Sequence, residues 1–393
     1  MSVVRYQYQI VGLIVMSLGV LITQAAPAES PSWPVPPLSK TRAPTIPAKA
    51  WLLMDYHNGW VLAHHRGTSS LAIASLTKVM TAYLVFDRLR SGDITLGDKV
   101  VVSKKAWSMS GARMFLPAHS RVRLEFLLKG MIIGSANDAA VALAEHIDGS
   151  EQEFVKRMNR VARELGLTHT FFGNSTGLPT AKNRSSAYDL GRLASLLIRE
   201  FPKFYVWFGE KEFEFRKIRS YNRNSLLWQA PGVDGVKTGQ SRAAGYCFIA
   251  TTQRQDMRLI AILLGTSSRE SRNKSMKTLL DFGFKAYETR FLLNASAVAA
   301  RTKVFNGSSY QVDLGLMQAL HVTLPRGTFN MLSARVYTGT QPSAPIKAGQ
   351  QLGHLALNYA GQQLGEYPLL ALYSVSRGKW YHGPLHQLQQ WWE

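Results

Sequence analysis

A serine and a lysine lie three residues apart in an apolar segment, "AIASLTKVMTAYLVFDRL", at positions 72–89. On a helix, residues at i and i+3 share a face, so Ser75 and Lys78 would be neighbours. Burial disfavours the charged form of a lysine, so a neutral Lys78 could accept the Ser75 proton and create a nucleophile without histidine. Two other assignments stay open. Lys78 could extend its ammonium to solvent, and Ser75 could cap the helix.

Two short polar clusters follow along the chain. Ser135-Ala136-Asn137 occupies a predicted break between helices, where a hydroxyl and an amide could point into one cleft, although both residue types also cap helices. Lys237-Thr238-Gly239 precedes a predicted strand hairpin, and its glycine would let a ligand approach the backbone closely. The alternative for this cluster is an ordinary exposed edge strand that carries a basic residue.

Each cluster is a weak signal alone, because short patterns of this kind arise often by chance. Their order along the chain is more specific: S-x-x-K comes first, then S-x-N, then K-T-G. A near-identical set occurs in class A β-lactamases and penicillin-binding proteins. The sequence therefore predicts an acyl-transfer site with a serine nucleophile and a lysine base.

Strands at both ends and a helical middle are predicted for the region that carries these clusters. The predicted elements are a hairpin at 51–66 with the two-residue turn Asn58-Gly59, a buried helix at 72–90, two helices within 124–147 broken at Gly134-Ser135, helices at 151–167, 185–201 and 271–288, and two strands within 245–265. This order predicts an α+β domain whose terminal strands share one antiparallel sheet. From about Arg290 onward, short strands with Gly and Pro turns predict a small all-β domain.

The N-terminal segment has the pattern of a secretory signal peptide. Arg5 precedes an apolar core at 10–22, and Ala26-Pro27-Ala28 fits a small-x-small cleavage site, with cleavage after Ala26 also possible. An uncleaved anchor is the alternative. We therefore expect a signal peptide at 1–28 and secretion of the protein.

Four further segments follow the signal peptide. They are a proline-rich spacer at 29–48, a first domain at 49–289, the all-β domain at 290–378 and a short tail at 379–393. The tail places Leu385, Leu388, Trp391 and Trp392 at helical spacing, which suits a membrane–water interface. A tail that packs loosely on the β domain is the alternative. The tail favours a peripheral location on the outer face of the cytoplasmic membrane.

Composition narrows the class of protein. The 393 residues carry a net charge of +21, which favours anionic neighbours such as a lipid surface, although a merely solvated basic surface stays open. Zinc-finger spacing and RNA-binding aromatic strands are missing, so no nucleic-acid partner is predicted. The single cysteine, Cys247, excludes an intrachain disulfide and cysteine-based metal or redox motifs. We expect neither a metal nor an organic cofactor.

The chain resembles the low-molecular-mass penicillin-binding proteins that act as serine-type D-Ala-D-Ala carboxypeptidases. The likeness covers nearly everything after the signal peptide, through segments such as "ASLTKVMTAYLV", "GMIIGSANDAAVALAEHI" and "GVDGVKTG". It implies a serine β-lactamase/penicillin-binding-like transpeptidase fold followed by a small all-β domain. It also implies removal of the terminal D-alanine from peptidoglycan pentapeptide stems through an acyl-enzyme, and covalent inhibition by β-lactam antibiotics.

The resemblance implies a catalytic role for five matching residues. Ser75 would be the acylated nucleophile and Lys78 its general base. Ser135 and Asn137 would relay a proton and hold the peptide amide of the substrate. Backbone N–H groups of Ser75 and Gln240 would form the oxyanion hole, where one donor contributes roughly 3 kcal/mol.

It also implies how the substrate is bound. Lys237 would add positive potential beside the nucleophile, and Thr238 would bind the terminal carboxylate. The family has a carboxylate-binding arginine just before its closing helix, and both Arg269 and Arg272 match, with the register slightly favouring Arg272. Asp189 resembles a family aspartate near the site and could tune the lysine base.

Two positions depart from the family pattern. Ala136 stands where glycine is usual, which costs little unless that position needs a positive φ. Gln240 stands where relatives often have histidine, which keeps the backbone donor and changes the side chain.

Three other functions are alternatives. A DD-endopeptidase that cuts cross-links would use the same motifs. A β-lactamase is disfavoured by the all-β domain and by the lack of a clear Glu-x-x-x-Asn loop before Lys237. A non-catalytic wall-binding protein held by positive charge is disfavoured by the intact motifs.

Overall fold

The computed structural model describes residues 41–339 and 341–378. The predicted signal peptide, most of the spacer and the predicted tail lie outside these residues. The strands are β1 (Ala50–Asp55), β2 (Val61–His65), β3 (Leu71–Ala72), β4 (Lys99–Val101), β5 (Arg121–Arg123), β6 (Arg184–Ser185), β7 (Glu212–Phe215), β8 (Ile218–Tyr221), β9 (Val233–Ser241), β10 (Gly245–Arg254), β11 (Met257–Thr266), β12 (Tyr287–Leu293), β13 (Val298–Lys303), β14 (Gln311–Gly315), β15 (Leu320–Pro325), β16 (Leu332–Thr338), β17 (Gln351–Tyr359) and β18 (Gln362–Ala371). The α-helices are α1 (Lys78–Ser91), α2 (Lys104–Trp107), α3 (Leu124–Ile133), α4 (Asn137–Asp148), α5 (Glu151–Glu164), α6 (Ala187–Glu200), α7 (Pro202–Tyr205), α8 (Leu226–Gln229) and α9 (Arg269–Ala286).

A five-stranded sheet with the order β2-β1-β11-β10-β9 forms the centre of the first domain. All its neighbouring strands are antiparallel, with Ala50 opposite Leu264 and Ile249 opposite Lys237. The first two strands come from the start of the domain and the other three from its end. The prediction that the terminal strands share one antiparallel sheet is therefore confirmed.

Helices cover both faces of this sheet, because side chains of a buried strand alternate between the faces. Gly283 of α9 lies against Leu53 and Leu259, whereas Gly191 of α6 lies against Met54 and Ile262. At either glycine an added Cβ would come within 3 Å of a strand side chain. The two glycines thus permit close helix–sheet packing, and strand β1 is buried along its whole length.

Two local predictions are wrong. The helix predicted at 72–90 begins only at Lys78, because Leu71 and Ala72 pair with β6 and a 3-10 turn, Ala74–Thr77, follows. The β1–β2 connection is five residues, 56–60, rather than a two-residue turn. Asp55 explains the longer loop, because its carboxylate accepts the backbone N–H groups of His57 and Asn58 and so stabilises a wider turn.

The C-terminal part is all-β, as predicted. Its five-stranded sheet has the order β13-β14-β18-β17-β16, and β12 pairs with β15. The apolar core includes Val312, Leu314, Val322 and Leu369. Residue 290, the predicted start of this domain, lies inside β12.

Polar side chains join the two domains. Thr289 donates to the buried Asp55 carboxylate at 2.7 Å, and Asn58 donates to Thr323 at 2.7 Å. The rings of His57 and His321 stack at 4.0 Å across the same joint. Within the described ranges, the structure has no helix with both the length and the apolar character that crossing a bilayer requires.

Candidate active site

Ser75 lies in the 3-10 turn between β3 and α1. Ala74 adopts a φ of +47°, and the Thr77 hydroxyl donates to Ala74 O at 2.9 Å. Two glycines hold this turn from either side: a Cβ on Gly177 would lie 2.0 Å from Ala74 O, and one on Gly239 would lie 3.3 Å from Ser75 N. The absence of a side chain at Gly239 thus makes room for the turn that carries Ser75, whereas the sequence predicts room for a ligand there.

Lys78 is buried, with 1% of its surface exposed. Its Nζ lies 3.3 Å from Ser75 Oγ, 2.6 Å from Asn137 Oδ1 and 2.5 Å from Thr176 O. A lysine that extends to solvent is therefore excluded. Ser75 does not cap a helix, since the residue at the N-cap of α1 is Thr77.

The pKa of Lys78 is held well below its usual value. Burial is the main cause, the positive charges of Lys237 and Arg223 add to it, and Asp138 opposes them. A neutral amine has two N–H groups and one lone pair. With Asn137 Oδ1 and Thr176 O accepting the two N–H groups, the lone pair is left to face the Ser75 hydroxyl.

The Ser135–Asn137 segment links α3 to α4. Ser135 adopts a φ of +65° and is nearly buried. Ala136 has a φ of −63°, so this position does not need a left-handed backbone and alanine fits it without strain. Ala136 is also the N-cap of α4 and makes no side-chain cap bond, so neither polar neighbour acts as the cap.

Asn137 connects the lysine to a third segment of chain. Its Nδ2 donates to Ser110 O at 2.7 Å, and its backbone N–H donates to Ala112 O at 2.7 Å. The neighbouring Asp138 carboxylate accepts the backbone N–H groups of Met114 and Leu116. The first turn of α4 therefore fixes both the loop 110–116 and the partner of Lys78.

Lys237, Thr238 and Gln240 follow one another on β9, at the edge of the sheet. Lys237 and Thr238 are buried, and Gln240 is exposed. Lys237 donates to Thr238 O at 3.2 Å. Burial, followed by the charges of Arg223 and Arg272, lowers the pKa of Lys237 to about 7. Strand β9 is thus an edge strand, but Lys237 is buried and is not the exposed basic residue that an ordinary edge strand would carry.

Arg269 and Arg272 both lie in the first turn of α9, which begins two residues earlier than predicted. Arg269 is exposed, whereas Arg272 is buried, lies 5.2 Å from the centre of the Phe248 ring and donates to Asn273 Oδ1. Burial and the Arg269 charge lower the pKa of Arg272 to about 10.

Asp189 has a different environment from the one predicted. Its carboxylate accepts hydrogen bonds from His169 N at 2.8 Å and Thr170 Oγ1 at 2.7 Å. The charged groups that act on Lys78 are Lys237, Arg223 and Asp138 instead. Asp189 is a structural residue of the 169–170 segment.

The predicted residues meet at one cleft of about 170 Å³. Its lining includes eight of the ten predicted site residues, Ser75, Ser135, Asn137, Thr238, Gly239, Gln240, Arg269 and Arg272. The other two, Lys78 and Lys237, are buried next to residues of this lining, Ser75 and Thr238. Across the residues that the structure describes, no three His, Cys, Asp or Glu side chains are grouped to hold a metal.

Sequence reasoning missed Arg223 and the 176–177 backbone. Arg223 lines the cleft and lowers the pKa of both buried lysines. Its two flanking asparagines are anchored, since Asn222 donates to Phe208 O and Asn224 donates to Gly235 O. The signal in the sequence is the polar stretch "NRNS" at 222–225.

Two family models match the chain. One, described as D-alanyl-D-alanine carboxypeptidase, matches residues 38–268. The other, described as penicillin-binding protein 5, C-terminal domain, matches residues 287–377. The two matches together span nearly all of the described residues.

Named relatives agree with these models. The D-alanyl-D-alanine carboxypeptidase DacC of Escherichia coli K12 is 40% identical over 345 residues, which is 86% of each chain. Penicillin-binding protein 5 of Haemophilus influenzae is 34% identical, with a TM-score of 0.80 over 86% of this chain and all of that one. Penicillin-binding protein D2 of Listeria monocytogenes, solved with ampicillin bound, is 31% identical, with a TM-score of 0.57 over 62% of this chain and all of that one.

Proposed function

The chain belongs to the D-alanyl-D-alanine carboxypeptidase family, and from this premise we propose that Ser75 is its nucleophile and Lys78 its general base. The protein is a serine-type D-Ala-D-Ala carboxypeptidase, which removes the terminal D-alanine from peptidoglycan pentapeptide stems. One observation carries the assignment of roles. Lys78 Nζ is buried between Asn137 Oδ1 and Thr176 O, with Ser75 Oγ 3.3 Å away.

Acylation begins with attack of Ser75 Oγ on the carbonyl carbon of the penultimate D-alanine. The hydroxyl proton moves to the Lys78 lone pair as the new C–O bond forms. Backbone N–H groups of Ser75 and Gln240 stabilise the oxyanion, which agrees with the close approach of Gly239 to Ser75 N.

Collapse of this intermediate breaks the peptide C–N bond and leaves an ester on Ser75. The leaving amine of D-alanine takes up one proton, relayed from Lys78 through the Ser135 hydroxyl. Asn137 holds the substrate amide and keeps Lys78 in place. Water then attacks the ester carbonyl carbon and gives a proton to Lys78. As the bond from that carbon to Ser75 Oγ breaks, Lys78 returns the proton to Oγ, and the shortened peptide leaves with a new terminal carboxylate.

The substrate carboxylate is bound by Thr238, Arg269 and Arg272, which line the cleft. Lys237 is buried next to Thr238. Arginine recognises a carboxylate through paired N–H groups, which orients it as well as attracting it. Arg223 adds positive charge and keeps the pKa of both lysines low.

We propose the same division of the chain that the sequence predicts, with a signal peptide at 1–28, a spacer at 29–48, domains at 49–289 and 290–378 and a tail at 379–393. The enzyme would then be periplasmic and peripheral on the outer face of the cytoplasmic membrane. The net charge of +21 supports contact with anionic lipid. Fractionation of cells that express the full chain, with and without residues 379–393, tests this location.

Labelled penicillin and a D-Ala-D-Ala pentapeptide test the catalytic assignment together. Ser75→Ala should lose both covalent labelling and D-alanine release, and the mass adduct in the wild type should map to Ser75. Ser91→Ala is the matched control, because Ser91 is an exposed serine at the far end of α1. Equal labelling of Ser75→Ala and the wild type would refute the role of Ser75. Cross-linked muropeptides, offered in parallel, distinguish endopeptidase activity.

A further inference from the structure

A second cavity of about 350 Å³ adjoins the active-site cleft. Both are lined by Gly177, Leu178 and Pro179. The second cavity also reaches Ala74, which precedes the nucleophile, and Ser241, which follows Gln240. It therefore begins beside the reacting atoms, on the side away from Thr238 and the two arginines of α9.

Strand β9 connects the two cavities. It is an edge strand, and an extended peptide can add to such an edge. A substrate whose carboxylate is held at Thr238, and which runs antiparallel to β9, has its earlier residues beside Gln240 and then Ser241, at about 3.3 Å per residue. The residue that precedes D-Ala-D-Ala then arrives at the second cavity.

The second cavity has apolar walls and one charged residue at its rim. Ala72, Leu178, Pro179 and Ala243 give it mainly apolar walls. Arg184 stands at its exposed rim as the one charged residue of the described lining. Such a cavity fits a side chain that is aliphatic along its length and carries a carboxylate at its end.

Arg184 is held in place and still has donors to offer. It lies on β6 opposite Ala72, and its Nη2 donates to Ser70 O at 2.5 Å. A guanidinium has five N–H groups in a fixed fork, so this bond leaves donors for a second acceptor. The fork matches a carboxylate, which a lysine ammonium cannot bind in the same bidentate way.

We propose that the second cavity binds the side chain of the third stem residue, and that Arg184 selects a diamino acid whose side chain ends in a free carboxylate. This inference rests on the proposed function, because it needs the peptide to be acylated at Ser75. Arg184 is a specificity residue for the substrate, and it takes no part in the bond-breaking steps.

Two pentapeptides that differ in one group provide the test. One carries meso-diaminopimelate at position three, and the other carries lysine, which is the same side chain without the terminal carboxylate. Wild-type enzyme should show the lower KM for the diaminopimelate peptide. Arg184→Gln should raise that KM about tenfold, leave kcat within about twofold, and leave the lysine peptide unaffected.

Two further variants separate charge recognition from structure. Arg184→Lys should keep part of the preference, because it retains the charge without the fork. Lys182→Gln changes an exposed lysine two residues away and should keep the full preference. Equal effects of Arg184→Gln on both peptides, or no effect on either, would overturn the inference. Failure of the wild type to release D-alanine from either peptide would instead refute the proposed function.

Discussion

Two lysines are buried in one site, and their hydrogen bonds differ. Lys78 Nζ has acceptors at Asn137 Oδ1 and Thr176 O, so its place in the protein is fixed by other segments. Lys237 Nζ donates to the backbone of its own neighbour, Thr238. Burial lowers the pKa of both. The first lysine is therefore held as the proposed base requires, whereas the second is a buried amine that donates only to its own strand.

Acidification should switch off the base. A lysine with a lowered pKa gains its proton as the pH falls through that value, and a protonated Lys78 has no lone pair for Ser75. The rate of acylation by labelled penicillin should therefore fall as the pH is lowered, throughout the range in which circular dichroism shows a folded protein. An acylation rate that rises over this range would contradict the assignment of Lys78.

The variant Lys237→Met should be more stable than the wild type and less active. Folding lowers its pKa from 10.5 to about 7, so the unfolded chain binds more protons between these values, and stability is lost as the pH falls toward 7. Lys237→Met removes this cost, which is about 1.4 kcal/mol per unit of pKa shift at most. We expect a higher Tm than the wild type at pH 6, a smaller difference near pH 10, and at least tenfold lower kcat/KM.

A surface lysine provides the control for this variant. Lys182→Met changes an exposed residue and should alter neither the Tm difference between the two pH values nor the kcat/KM. A Lys237→Met protein that unfolds at a lower temperature than the wild type at pH 6 would show that the charge is stabilising in its place.

At the scale of elements, the nucleophile depends on a turn that two glycines enclose. Gly177 has a φ of +81°, and a Cβ there would lie 2.0 Å from Ala74 O. Gly177→Ala should therefore displace Ser75 and lower the rate of penicillin acylation by about 100-fold, since a shift of about 1 Å can cost that much.

Gly149→Ala is the matched control for backbone strain. Gly149 has a similar φ of +75° and no neighbouring atom within 4 Å of its would-be Cβ. It should lose about 1 kcal/mol of stability and keep its acylation rate. Equal loss of activity in both alanine variants would mean that strain, and not the clash with Ala74, disables the site.

The sequence predicted the elements better than the contacts between them. Periodicity located α4 and the β10–β11 hairpin, because their buried faces repeat with a regular spacing. It placed Ser75 on a helix, since nothing local reveals that Leu71 and Ala72 pair with β6 more than 100 residues later. The role of Arg223 was missed for the same reason, because its effect on two lysines exists only after the loop has folded against β9.

At the scale of the whole molecule, the contact between the domains contains two groups, His57 and Asp55, whose protonation changes the stability in opposite directions. His57 faces His321, Arg258 and Asp256, and burial lowers its pKa to about 4. Asp55, beneath the same loop, has a pKa raised to about 6 by burial. As the pH falls through this range, His57 costs stability because the unfolded chain binds more protons, whereas Asp55 gains stability because the folded chain does.

Replacement of His57 should remove a destabilisation that grows as the pH falls. His57→Asn lacks the acid penalty, so its Tm relative to the wild type should become more favourable as the pH is lowered from 7 to 4.5. His65→Asn, at an exposed position on β2, is the matched control for loss of a histidine. Calorimetry at four pH values would measure both, and a difference for His57→Asn that does not change with pH would refute the lowered pKa.

The crowding of cations at the cleft has a kinetic consequence. Arg223, Arg269 and Arg272 line the cleft, Lys237 is buried next to Thr238, and the substrate ends in a carboxylate. A charged cleft of this kind steers oppositely charged molecules during diffusion, and dissolved salt shortens its reach to about 10 Å at 0.1 M. The association rate of a stem peptide should therefore be higher at low ionic strength than at high ionic strength. The rate at which this enzyme captures its substrate would then follow the ionic strength of its surroundings.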